Sequence, residues 1–112
     1  MSKVDYGTVE INIGKETYVL SPTIECVRKM KRWGLSTPLE AMQACRGFDP
    51  ETLATVIVAG SGKGQKDINP MTDDVHYAGT VNVAPKVIEF LALLMNPTGR
   101  EIEDKEDADE GE

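Results

Sequence analysis

Three short proline signals do most to limit the shapes open to this chain. Ser21-Pro22, Thr37-Pro38-Leu39-Glu40 and Asp49-Pro50-Glu51-Thr52 each set an oxygen-bearing side chain just before a proline. Such an oxygen can accept from the free N–H groups at a helix start, and a proline at the first helical position has no N–H to leave unsatisfied. Glu40 also occupies the capping-box position. Glycines stand at 34, 47 and 60, where a helix can be closed. The spacing predicts helices over about 22–33, 38–46 and 50–59. Ile24, Val27 and Met30 recur at three-residue steps, as do Leu39, Met42 and Cys45. Leu53, Val56 and Ile57 make a third apolar face.

Ahead of these helices the period changes to two. Val9, Ile11 and Ile13 alternate with polar residues, Gly14-Lys15-Glu16 offers a turn, and Thr17-Tyr18-Val19-Leu20 returns. A lone hairpin is marginal in water, so its apolar face must lie on the helices. Residues 60–70 read as a loop from their glycines and Asn69-Pro70. Thr72-Asp73-Asp74-Val75 resembles a cap and first turn, opening a short helix that Gly79 ends. The last segment, Val83 to Met95, carries apolar residues on more than one face. It is either a central core helix or a helix with a second face left for a partner. The expected fold is α+β and mostly helical: an N-terminal β-hairpin packed on four to five α-helices, forming one domain over residues 1–99.

Charge divides the chain at that boundary. The whole carries −7, yet residues 100–112 hold eight acids against Arg100 and Lys105, a balance of −6. The first 99 residues are therefore at −7 + 6 = −1. The acidic stretch is low in apolar residues and is expected to be a disordered tail. A nearly neutral body argues against nucleic-acid binding driven by the overall field. No run approaches the ~20 apolar residues of a membrane span, and the N-terminus lacks the shape of a signal peptide. Two cysteines are too few for a disulfide scaffold or a four-ligand zinc site. A cytoplasmic protein with reduced thiols is the expectation.

The residues that could carry chemistry are isolated. Gly62-Lys63 fails as a phosphate loop, because Ile57 stands where a glycine is needed and Gly64 where Ser or Thr is needed. His76 has no nucleophile or second acid–base group in a pattern beside it. Cys26 and Cys45 sit on apolar faces and read as small core residues. Methionines 30, 42, 71 and 95 fill cores or adaptable partner surfaces. Arg28, Lys29, Lys31 and Arg32 beside Trp33 form a basic patch. That patch is a solvated helix end where cations suit the dipole, a protein contact, or a nucleic-acid contact. No catalytic, metal or cofactor site is expected.

The layout over residues 7–95 resembles the tail assembly chaperone family of long-tailed phages and phage-like gene transfer agents. The opening, Gly7-Thr8-Val9-Glu10-Ile11-Asn12-Ile13-Gly14-Lys15-Glu16-Thr17-Tyr18-Val19-Leu20-Ser21-Pro22-Thr23, is similar to that family's two strands and Pro-Thr helix entry. Gly34-Leu35 matches its link between the first helices. Leu53-Ala54-Thr55-Val56-Ile57-Val58-Ala59-Gly60 and Ala84-Pro85-Lys86-Val87-Ile88-Glu89-Phe90-Leu91 are like its later helices. The acidic tail has no counterpart. The resemblance implies a protein of the host bacterial cytoplasm that coats the tape measure protein during tail morphogenesis, with the tail tube protein a further partner. Members have also been labelled as structural tail components, so a head–tail or tail component kept in the virion is the first alternative. A small DNA-binding regulator is the second. Repeated binding along a long partner is compatible with homo-oligomers. The expected contact residues are Phe90, Leu91, Leu94 and Met95 of the final helix, then Met30 and Trp33 of the first.

Overall fold

The alternating segment forms the expected hairpin. In the computed structural model, which describes residues 7–97, strand β1 (Val9–Ile13) pairs antiparallel with β2 (Glu16–Leu20). The register sets Val9 opposite Leu20 and Ile13 opposite Glu16. A two-residue turn, Gly14-Lys15, joins them, and Gly14 takes φ +63°, which a II′-type turn needs at its first central position. Val9, Ile11, Ile13 and Leu20 are buried, while Glu10, Asn12, Thr17 and Val19 face out. The expected acidic tail, 100–112, lies outside the described residues.

Five helices follow: α1 (Ile24–Arg32), α2 (Pro38–Arg46), α3 (Pro50–Gly60), α4 (Ile68–Ala78) and α5 (Thr80–Met95), with one 3₁₀ turn at Gln65–Asp67. The caps explain the boundaries. Thr37 Oγ1 accepts from the Glu40 N–H at 3.0 Å, and Glu40 Oε1 accepts from the Ser36 N–H. For α1 the cap is Thr23, not Ser21. Thr23 Oγ1 accepts from Cys26 N–H at 3.1 Å, while Ser21 N–H donates to the Gly60 carbonyl. Pro22 therefore lies ahead of α1 instead of in its first turn, and it is buried. Asp49 occupies the third cap position, but its carboxylate accepts from the Thr52 hydroxyl and caps no backbone N–H. Helix α1 closes by a Schellman motif: Leu35 N–H donates to Met30 O at 2.8 Å and Gly34 N–H to Lys31 O, with Gly34 at φ +102°.

Two further boundaries differ from expectation. Helix α4 starts at Ile68, inside the expected loop, because Pro70 falls in the first turn, where backbone N–H groups have no helical partner anyway. Thr72 is therefore no cap. Its hydroxyl donates to the Ile68 carbonyl at 2.8 Å. Gly79, at φ +96°, ends α4 and directly opens α5, three residues before the expected start.

The centre of the core is α3. Every residue from Thr52 to Gly60 is buried. Small side chains permit this: a Cβ at Gly60 would stand 3.0 Å from the Phe90 ring and 3.3 Å from Leu20 Cβ. Gly60 thus serves close packing inside the helix, and Ser61 is the cap. The buried hydroxyls are satisfied, Thr55 donating to the Glu51 carbonyl and Thr52 to Asp49. Around α3, each other helix buries one stripe. Ile24 and Leu39, expected on those stripes, are exposed; Cys26 with Met30, and Ala41 with Met42 and Cys45, are the buried sets.

Candidate partner-binding surface

Helix α5 divides its circumference into three sectors. Val83, Ala84, Val87, Phe90, Leu91 and Leu94 face the core. Asn82, Lys86 and Glu89 form a polar edge, with Lys86 Nζ 3.6 Å from Glu89 Oε1. Between them runs an apolar stripe: Val81, Pro85, Ile88, Ala92 and Met95. Val81 is 65% exposed and Met95 45% exposed, Pro85 and Ala92 are exposed, and Ile88 is half-buried. Steps of four, three, four and three residues give the seam spacing of packed helix pairs. Over these positions the seam is about 21 Å long, at 1.5 Å per residue.

The stripe is a narrow apolar ridge. Val81 and Met95 offer knobs at the two ends, while Pro85 and Ala92 are short and let a partner backbone approach. Pro85 also withholds the helical hydrogen bond from the Val81 carbonyl. The flanking charges, Lys86 and Glu89, are of opposite sign and pair with each other. Recognition here would rest on apolar burial.

The expected contact residues separate. Met30, Phe90, Leu91 and Leu94 lie in the core, each at most 5% exposed, and so are not on the free surface. Their apolar spacing is the core-facing stripe of each helix, so a partner could reach them only by opening the fold. Met95 belongs to the exposed stripe. Trp33 is half-buried and borders two shallow clefts. One, of about 260 Å³, includes Asp49 and Thr52; the other, of about 230 Å³, includes Lys66 and Asn69. Of the contact residues expected on the final helix, Met95 alone lies on its second apolar face. Val81, Pro85, Ile88 and Ala92 emerge only when positions are sorted at 100° per residue against a known core direction.

The remaining reactive groups are dispersed. Cys26 and Cys45 are buried, and burial pushes both thiols from 9.0 up to about 12, so neither is a ready nucleophile. His76 is exposed on α4, edge-on to Tyr77 at 5.1 Å between ring centres. Among the described residues, no three His, Cys, Asp or Glu side chains are grouped to hold a metal ion. No helix there is long and apolar enough to cross a membrane. In comparisons with known proteins, no family model, curated protein or solved structure matches this chain.

Proposed function

We propose that this chain is a tail assembly chaperone of a long-tailed phage or phage-like element, holding the tape measure protein in the host cytoplasm. The observation that carries the reading is the α5 stripe, an apolar seam with helix-pair spacing that leaves Val81, Pro85, Ala92 and Met95 exposed while Ile88 leans on the core. A tape measure protein is long, helical and amphipathic, and would aggregate if bare. The stripe supplies an apolar ridge for such a helix, and the rest of the small domain keeps the complex in solution. The acidic residues of 100–112 add like-charge repulsion between bound copies. The sequence resemblance over 7–95 names the partner; the stripe supplies the means.

Co-expression with the tape measure protein, followed by affinity capture, tests the reading. The expected result is a soluble co-purifying pair, lost in the Val81→Glu/Ala92→Glu variant. A tape measure protein that stays insoluble and uncaptured with the wild-type chain rejects it. So does abundant recovery of this chain in purified virions.

A further inference from the structure

Six of the nine basic residues among the described residues fall on two segments. Arg28, Lys29 and Arg32 share one side of α1, and Lys63 and Lys66 belong to the glycine-rich segment after α3. The fold joins these two segments: Lys29 Nζ donates to the Lys63 carbonyl at 3.2 Å, and Lys66 borders the same cleft as Trp33. Over 24–33 and 61–67 there are six cations (Arg28, Lys29, Lys31, Arg32, Lys63, Lys66) against Glu25 and Asp67, a balance of +4. Both acids are engaged locally. Glu25 lies 3.8 Å from Arg32, and Asp67 accepts from the Gly64 N–H at 3.2 Å. The rest of the described body is correspondingly acidic. A field so localised on a nearly neutral domain fits an anionic segment.

We propose that the acidic residues of 100–112 dock in cis on this cationic surface of α1 and the 61–67 segment. Two facts make the chain's own segment the occupant. The charges are opposite in sign, −6 against +4. The reach is also short. Gly60 packs against Phe90, so the root of the segment at Met95 is five residues, about 7.5 Å of helix, beyond that contact. Lys63 is three residues, at most about 11 Å, past Gly60. The stretch from Met95 to Glu103 alone spans up to about 27 Å. Docking screens the patch from other polyanions. The inference does not rest on the chaperone reading.

A spin label on an Ala108→Cys variant of the full chain tests it, since buried Cys26 and Cys45 stay unlabelled in the folded protein. Amide signals of Lys29, Lys63 and Lys66 are expected to lose most of their intensity at about 0.1 M salt and to recover near 1 M, where screening shortens to about 3 Å. Deleting 100–112 should shift the amides of 28–33 and 61–67 and leave those of 74–78, at the far end of α4, unmoved. Absence of broadening there, or broadening spread evenly over the surface, overturns the proposal. Broadening of an isotope-labelled, spin-free chain mixed with the spin-labelled one also overturns it, by making the contact one between copies.

Discussion

Helices α3 and α5 are the two most apolar segments of the chain, and they spend that character differently. Helix α3 is built from Ala, Val, Thr and Gly around Leu53 and Ile57, and is buried on all sides from Thr52 to Gly60. Helix α5 carries larger residues, yet beside its polar edge a further, apolar sector of its circumference faces water. The difference teaches that apolar content does not by itself locate a core. Small side chains let α3 be approached from every side, with Phe90 and Leu20 against Gly60. The bulk of α5 is satisfied along one stripe, and a second stripe remains.

The comparison breaks first if the core positions are not equivalent in weight. Phe90→Ala and Ile57→Ala should each lower unfolding free energy by several kcal/mol, ~3–5 for the ring and ~2–5 for the isoleucine. Denaturant titration reads both. A loss under ~1 kcal/mol at Ile57 would show that α3 is not the centre of the core. Next in size, Gly60→Ala should cost ~1–3 kcal/mol, because its methyl must displace the Phe90 ring or the Leu20 side chain. A neutral or stabilising result would mean the α3–α5 contact is loose.

The thiols on α1 and α2 sharpen the same picture through pH. Both are held protonated up to about 12 in the fold, against 9.0 ordinarily. Between those values the unfolded chain binds fewer protons, so stability is unaffected below about 9 and falls as pH rises toward 12. The slope approaches ~1.4 kcal/mol per pH unit for each thiol. The Cys26→Ala/Cys45→Ala variant should lose stability less steeply over that window, as measured by denaturant midpoints against pH. Identical slopes would place the thiols in water. Smallest of all, Val81→Glu and Ala92→Glu should move stability by no more than ~0.5 kcal/mol, as surface changes do. A loss of more than ~2 kcal/mol would put the stripe in the core.

Much of this arrangement was legible in the sequence because it is local. The period-two run of Val9, Ile11 and Ile13, the Thr37-Pro38 cap and the Gly34 closure each need only neighbours in the chain. The start of α4 was hidden because glycines and Pro70 signal a loop, although a proline in a first turn breaks nothing. The Ser21-Pro22 cap failed because the chain, tied through the Ser21 N–H to the Gly60 carbonyl, stays extended as far as Thr23, whose hydroxyl caps α1 instead. Phe90, Leu91 and Leu94 read as a partner face because spacing marks an apolar side without saying what covers it. The direction of the core, fixed by α3, was the missing quantity.

The central claim is that the uncovered α5 stripe holds the partner. Hydroxyl-radical footprinting of the co-purified complex tests it most directly, comparing side-chain labelling with the free chain. The account predicts that Val81, Pro85, Ile88 and Met95 become protected while exposed Leu39 and Phe48 are labelled as before. Unchanged labelling along the stripe, with protection on another face, would contradict it.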